Sequence, residues 1–537
     1  MSDMQSAASS GPSTLTESSS MSAAELAALA RSQAQTIAVQ DEKIAALEHQ
    51  IEWFRRQIFG QKSERFAPQP DPSQMHLGET FPVPTAAVDE RKPIAAHTRR
   101  TAQHDGAESG EELPFFDESK VPVQTITLIH ADAKGLSPDQ YEVIGEKVTY
   151  RIAQRPGAYH VLKYRRPVIK LNGSGKILSL PAPEGVLEGS RADVSFGAGL
   201  LMDKFAWHIP LYRQHQRLAA SGIRVSRPWL TQLAQALISL LTPIYDAQLA
   251  SIRASRVKAM DETPIKAGRA GHGKMQTGYF WPIYGEHDEV CFPFHASRSA
   301  DFVCQALGIK PVVNAVLVTD GYAAYEQYAE KTGIHHARCW AHSRRAFFEA
   351  LTAEPTGAAE ALEQIKALYA IEEEIRDRTL VSDAKQLHRL TYSKPLVELF
   401  FEWVDRQLQR QGFTPTNPFI QALNYVRERR VGLEIFLTDP DVPIDTNHLE
   451  RALRVVPMGR KSWLFCWTEL GAKHVGIIQS LIVTCRLHGI DPYTYLVDVL
   501  QRISEHPASR VAELTPRLWK QHFAANPLRS DIHEFPV

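Results

Sequence analysis

Val257-Lys258-Ala259-Met260-Asp261-Glu262-Thr263-Pro264 reads as a short strand that delivers an aspartate at its end. Ala315-Val316-Leu317-Val318-Thr319-Asp320-Gly321-Tyr322 repeats that arrangement, with Asp320 lying 59 positions after Asp261 (320 − 261). Thr446-Asn447-His448-Leu449-Glu450-Arg451 then places a glutamate inside a helix, behind an Asp/Thr/Asn start signal and 130 positions beyond Asp320 (450 − 320). Alone, an Asp before Gly-Tyr is a turn residue and a Glu on a charged helix is solvated. Gathered on one sheet, the three offer hard oxygen donors to two divalent cations. Such a pair can clamp the attacking and leaving oxygens of a phosphoryl displacement. A metal-dependent enzyme acting on nucleic acid is the leading expectation.

Around these residues the pattern runs strand (Arg256 to Met260), two further strands (Gln276 to Tyr284 and Glu289 to His295), a helix near Ser299 to Leu307, then the apolar run ending at Asp320. Three strands, a helix and a fourth strand carrying a second Asp predict a ribonuclease-H-like core. The stretch between Asp320 and Glu450 is too long for one crossover. Its periodicity predicts helices over Trp340 to Leu351, Ala358 to Thr379, Asp383 to Arg410 and Pro418 to Leu437, a helical insertion at about 340–440. Glu450, Arg451 and Arg454 fall on the polar face of the returning helix, with Leu449, Leu453 and Val456 inward.

The 537 residues suit several domains, and a net charge of −1 means that any DNA-binding surface must be a local concentration of Arg and Lys. The expected fold class is multidomain α/β. Residues 1–22 are Ser-rich and read as disordered, 23–62 as a coiled-coil helix, 63–118 as a linker and 119–190 as a small β-rich module. Next come a helix-turn-helix region (191–250), the core with its insertion (251–480) and a C-terminal helical segment (481–537). The coiled coil rests on Ile37, Ile44, Ile51 and Ile58 at seven-residue spacing, with Leu47 and Phe54 between them and Gln40 weakening the seam. It predicts self-association; an amphipathic helix packed on the body is the alternative.

In the helix-turn-helix region Gly222 ends one helix and Val225-Ser226-Arg227-Pro228 starts the next. Arg213, Arg217, Arg224 and Arg227 supply the charge a phosphate backbone requires, although an ordinary helical hairpin explains the pattern equally. Arg344, Arg345, Arg460 and Lys461 are further candidates for phosphate contacts. Five scattered cysteines (Cys291, Cys304, Cys339, Cys466, Cys485) with no Cys-x-x-Cys pair exclude a cysteine-rich zinc ribbon. Cys339 and His342 fit a turn with Cys339 and Trp340 in the core better than a metal site. No signal peptide or membrane-spanning run is evident, so a cytoplasmic, nucleoid-associated protein without a membrane partner is expected.

At these residues the chain resembles transposases of the bacterial insertion sequence 66 family, of the DDE class. The matching text includes Asp261-Glu262-Thr263-Pro264, Gly278-Tyr279-Phe280-Trp281, Thr319-Asp320-Gly321-Tyr322 and Arg338-Cys339-Trp340-Ala341-His342-Ser343-Arg344-Arg345. Later come Asn447-His448-Leu449-Glu450-Arg451, Gly459-Arg460-Lys461-Ser462-Trp463-Leu464-Phe465 and Gly489-Ile490-Asp491-Pro492-Tyr493-Thr494-Tyr495-Leu496. The similarity runs from about Ile44 to about Trp519. It implies that Asp261, Asp320 and Glu450 are a catalytic, metal-binding triad for two Mg²⁺ (or Mn²⁺) ions, which cut double-stranded DNA at the element ends and join the freed 3′-OH to target DNA. Accessory transposition proteins remain open as partners. The family's four-cysteine module has no counterpart here, since no cysteine precedes Cys291, so no structural zinc is expected. Two rivals stand: a non-enzymatic coiled-coil/helix-turn-helix DNA-binding regulator, and a nuclease of the same fold without strand transfer.

Overall fold

A computed structural model describes residues 32–34, 36–37, 40 and 115–534, apart from 135, 156, 272–273, 411–413 and 464–465. The expected coiled coil, apart from Ile37 and a few neighbours, and nearly all of the expected linker lie outside the described residues. The fold is mixed α/β. From residue 115 on, the chain divides into two compact units, one taking His342–Arg378 and Thr391–Arg430, the other taking the rest.

The larger unit opens with a four-stranded sheet. β1 (Val123–Thr127) lies parallel to β3 (Ala158–Leu171), which pairs antiparallel with β2 (Tyr141–Arg155) and with the short β4 (Ile177–Leu178). Its apolar side buries Ile126, Ala153, Leu162 and Tyr164 together with Ile532 from the C-terminal segment. Four helices follow: α1 (Val194–Phe205), α2 (Leu211–Ala220), α3 (Arg227–Leu240) and α4 (Thr242–Ala254). The turn between α2 and α3 uses Gly222 at φ +87°, which few other residues tolerate, and the Ser226 hydroxyl caps α3 by accepting from Trp229 N–H at 3.2 Å.

Next comes a five-stranded sheet of order β12-β11-β5-β8-β9. β5 (Val257–Met260), β11 (Val316–Thr319) and β12 (His335–Arg338) are parallel, while β8 (Ile283–Gly285) and β9 (Val290–Cys291) run antiparallel on the other side of β5. The three parallel strands are joined through α5 (Ala300–Leu307) and α6 (Ala323–Thr332). The expected strand Gln276 to Tyr284 is in fact two. β7 (Lys274–Phe280) pairs with β6 (Thr263–Gly271) and β10 (Phe294–His295) in a separate three-stranded sheet, and the chain crosses to β8 at Trp281-Pro282. Pro282 has no N–H to continue a ladder, and the buried Trp281 fills the junction. The expected strand Glu289 to His295 divides in the same way at Phe292-Pro293.

β9 is an edge strand, and its exposed polar backbone is covered by a helix whose sequence anticipates the task. In α15 (Glu469–Leu487) the polar Gln479, Ser480 and Thr484 are fully buried among apolar neighbours. Val290 N–H donates to Thr484 Oγ1 at 3.2 Å and Phe292 N–H to Ser480 Oγ at 2.9 Å, while Gln248 Nε2 donates to Val290 O at 2.9 Å. Each partner removes the cost of burying an unpaired peptide group. Gly476 lets the helix come this close, because a Cβ there would overlap the Phe292 carbonyl oxygen.

The stretch from 340 to 438 is helical throughout its main elements: α7 (Trp340–Ala350), α8 (Pro355–Asp377), α9 (Ser382–His388), α10 (Lys394–Gln409), α11 (Pro418–Glu428) and α12 (Arg430–Thr438). In the smaller unit Phe347, Phe400, Trp403 and Phe419 form one aromatic cluster, with centroids 5.9–6.3 Å apart. The single helix expected over Asp383 to Arg410 is broken by a π turn at Arg389–Ser393. Pro395 cannot donate to the turn before it, which releases the ladder at that point. The remaining helices are α13 (Asn447–Leu453), α14 (Val455–Trp463), α15, α16 (Pro492–Arg502), α17 (Pro516–His522) and α18 (Asp531–Glu534).

Gly476→Ala should lower stability by about 1–3 kcal/mol through overpacking, read as a drop in thermal midpoint. An unchanged midpoint would show that α15 does not rest on β9 through this glycine.

Candidate active site

β5 and β11 pair in parallel with Val257 opposite Val316, Lys258 opposite Leu317 and Ala259 opposite Val318. Asp261 and Asp320 each lie two residues beyond the last of these pairs. The twofold alternation of a strand therefore sends both toward one face, at the carboxyl ends of adjacent strands. Crevices at that end of parallel strands are where α/β sheets bind ligands.

Local hydrogen bonds fix each aspartate. Asp261 accepts from Glu262 N–H at 2.7 Å, and its own N–H donates to Pro282 O at 3.2 Å. Asp320 Oδ1 accepts from Tyr322 N–H at 2.9 Å, and its carbonyl accepts from Arg338 Nη1 at 2.7 Å. Arg338 is itself buried and paired with Glu326 at 3.4 Å, so it pins the turn that carries Asp320.

Glu450 returns to this region although it is far away in the chain. Arg256, at the start of β5, donates to Asp439 and Asp441 at 2.6 Å each, just beyond α12. Trp340 donates from its backbone N–H to Ile444 O at 3.1 Å and from Nε1 to Leu433 O at 3.0 Å. Thr446 N–H and its hydroxyl both donate to Cys339 Sγ at 3.3 Å, and Asn447 then begins α13. Glu450 sits half-buried in the first turn of α13, where the helix dipole favours negative charge. Leu449, Leu453 and Val456 are buried, and Arg451 and Arg454 are exposed.

The electrostatics of Asp261 show that these groups share one neighbourhood. Burial pushes its carboxyl up to about 7, the Glu262 N–H opposes that rise, and the negative charges of Glu262, Asp320 and Glu450 add to it. Arg298 pairs with Glu262 and its charge also reaches Asp320, but the net effect on Asp261 remains a rise. Asp261, Asp320 and Glu450 supply only oxygen donors, which suits a hard divalent ion and not a thiophilic one. Among the described residues no three His, Cys, Asp or Glu side chains stand close enough to hold an ion as they are set. Like charges spread apart, and a cation is what would draw them in.

Four residues of the site, Glu262, Arg298, Tyr322 and Tyr325, have no role assigned from the sequence alone. Glu262, with its side chain only 5% exposed, accepts from Arg298 Nε at 2.9 Å and from the Tyr325 hydroxyl at 2.5 Å. Arg298 lies over the Tyr322 ring, 3.9 Å from its centroid, and the Tyr322 hydroxyl donates back to Arg298 O at 2.8 Å. No spacing rule announces Arg298. Glu262 was visible only as the companion of Asp261.

The expected DNA contacts fall into three groups. Arg213, Arg224 and Arg227 are exposed, and Arg227 lies at the first residue of α3 with its guanidinium 5.7 Å from the Tyr212 ring. Arg217 is committed instead to Asp203 and to the Tyr159 hydroxyl (2.7 Å), which ties α2 to α1 and β3. Arg460 donates to Pro264 O, at the start of the β6–β7 hairpin, while Lys461 is exposed. Arg344 and Arg345 are exposed on α7, in the smaller unit. Cys339 and Trp340 are buried in the larger unit, and His342 belongs to the smaller one.

A sequence model described as Transposase IS66 family matches residues 189–474, and one described as IS66 C-terminal element matches 480–517. A third, described as Transposase C of IS166 homeodomain, matches residues 46–112. The chain belongs to the IS66 transposase family. Among its relatives in Sinorhizobium fredii (strain NBRC 101917 / NGR234), "Uncharacterized protein y4hP" is 29% identical over 512 residues, covering 90% of each chain. "Uncharacterized protein y4jD" is 28% identical over 498 residues, covering 88% of this chain and 94% of the relative. "Uncharacterized protein y4qI" is 30% identical over 452 residues, covering 81% and 78%.

Two measurements test this geometry. Asp261 holds a proton in the folded state up to about pH 7, against 3.8 ordinarily, so the metal-free fold loses stability as pH rises through that window. Asp261→Asn should therefore stabilise the metal-free protein by about 1–3 kcal/mol at pH 8, with the gain shrinking toward pH 5. A gain that does not change with pH would contradict the shared neighbourhood. For DNA, Arg213→Ala, Arg224→Ala and Arg227→Ala together should flatten the salt dependence of binding by roughly three counterions. Arg217→Ala should mainly lower the thermal midpoint. The opposite division between the two sets would reverse the assignment.

Proposed function

We propose that this chain is a DDE-class transposase that binds the ends of its insertion sequence and performs divalent-metal-dependent DNA cleavage and strand transfer. The observation that carries the reading is the parallel register of β5 and β11, which gives Asp261 and Asp320 one edge of one sheet. The charge of Glu450, returned by the Arg256 and Trp340 anchors, reaches Asp261 there. Strand order supports a ribonuclease-H-like core: an antiparallel β5-β8-β9 meander, extended on the far side of β5 by the parallel β11 and β12. Asp261 and Asp320 would hold Mg²⁺ or Mn²⁺ between them, and Glu450 would complete a two-ion site. Bound there, the ions would supply a activated water and stabilise the departing 3′ oxygen.

The chain's own residues do the positioning. Asp261 would have to give up its proton to hold an ion, so divalent-ion affinity would rise with pH up to about 7. Arg338 keeps the Asp320 turn from shifting, and the buried apolar face of α13 holds Glu450 in register. No Ser or Tyr nucleophile is required. DNA is gripped outside the site by the α2–α3 turn through Arg213, Arg224 and Arg227 and by Lys461, with Arg344, Arg345 and Arg460 as further phosphate contacts. Two element ends require two subunits, a role that suits the seam of Ile37 to Ile58. No helix among the described residues is long and apolar enough to cross a membrane.

Purified protein incubated with labelled element-end DNA, Mg²⁺ and a target plasmid tests this directly. Cut ends and joined products are expected. Asp320→Asn should lower both by at least about a thousandfold, as expected when metal-centred transition-state stabilisation is lost, while leaving DNA affinity within about twofold. Cleavage without joining would make the protein a nuclease. Binding without cleavage would make it a regulator.

A further inference from the structure

The Glu262 carboxylate, its side chain only 5% exposed and its charge felt by Asp261, is costly to bury unless that charge is used. It is used on Arg298. Nε (2.9 Å) and Nη2 of that guanidinium both donate to Glu262 Oε1, and the buried Tyr325 hydroxyl holds Oε2 at 2.5 Å. Tyr322 supplies a second support, its ring 3.9 Å below the guanidinium and its hydroxyl on Arg298 O. Nη1 is left without a hydrogen-bond partner among the described residues, and 43% of the side chain faces solvent.

Arg298 is therefore a cation with most of its rotamer freedom already removed and one edge kept open. Tyr322 also links it to the site, since the Tyr322 N–H donates to the Asp320 carboxylate at 2.9 Å. A planar guanidinium with two free N–H groups suits a phosphate oxygen. A purely structural ion pair would not require the open edge or the stacked ring.

We propose that Arg298 binds a backbone phosphate of the DNA strand entering the carboxylate site, with Glu262, Tyr322 and Tyr325 as positioning residues. This rests on the transposase reading for the identity of the DNA. Because Arg298 is held before DNA arrives, little ordering entropy opposes the contact. It would fix the strand beside Asp261 and Asp320 and complement the grip of the α2–α3 turn.

The test uses the full chain and duplexes carrying the element end, with methylphosphonates replacing single phosphates around the cleavage position. Binding is read in Ca²⁺, and cutting is read separately in Mg²⁺. Arg298→Ala should weaken end binding by about 5- to 20-fold and reduce the salt slope by about one counterion. One methylphosphonate should weaken the parent protein but leave Arg298→Ala unaffected. Arg298→Lys should recover the salt slope, since it keeps the charge, but only part of the affinity. Glu262→Gln should share the loss of methylphosphonate discrimination, with thermal melting confirming that it folds. A parent-like salt slope and methylphosphonate profile in Arg298→Ala overturns the proposal, as does a parent protein that does not bind the duplex. A parent that binds but does not cut refutes the transposase chemistry, while the phosphate contact is still decided by the binding data.

Discussion

The pairing of β5 with β11 is the constraint on which the rest of this site depends. Parallel strands in register deliver their carboxyl ends to the same line, so two aspartates placed two residues beyond matched positions must meet. An antiparallel pairing would have put them at opposite edges. A slip of one residue would have turned one of them to the other face. Both strands are fully buried, so the register is held by packing on both sides.

That meeting has an energetic consequence. Asp261 loses solvent beside the charges of Glu262, Asp320 and Glu450, which raises its proton affinity and strains the metal-free fold. The strain is local and the supports are rigid: Arg338 on the Asp320 turn, the Arg298–Glu262–Tyr325 cluster on the Asp261 side, and the Arg256 and Trp340 anchors that return the chain for Glu450. Sites that store unfavourable electrostatics inside a stiff frame are suited to binding a charged partner that relieves them.

Much of this was legible in the sequence, because strands and helices announce themselves by period and punctuation. Val257–Met260 and Val316–Thr319 form as read, and Leu211–Ala220 and Arg227–Leu240 flank the turn that Gly222 and Ser226 marked. Two boundaries were hidden. Thr263–Gly271 was assigned no strand, although Gly271 and Gly273 signal the turn of a hairpin. The long helix after Asp383 breaks where Pro395 withdraws a donor. What periodicity does not encode is partnership: nothing in the spacing assigns Arg217 to Asp203 rather than to DNA, or Arg298 to Glu262.

The most direct measurement is the anomalous scattering of Mn²⁺ in crystals of the protein grown with element-end DNA. Two Mn²⁺ peaks held by Asp261, Asp320 and Glu450 are expected. Mn²⁺ bound elsewhere, with Glu450 turned away from both aspartates, would contradict this assignment.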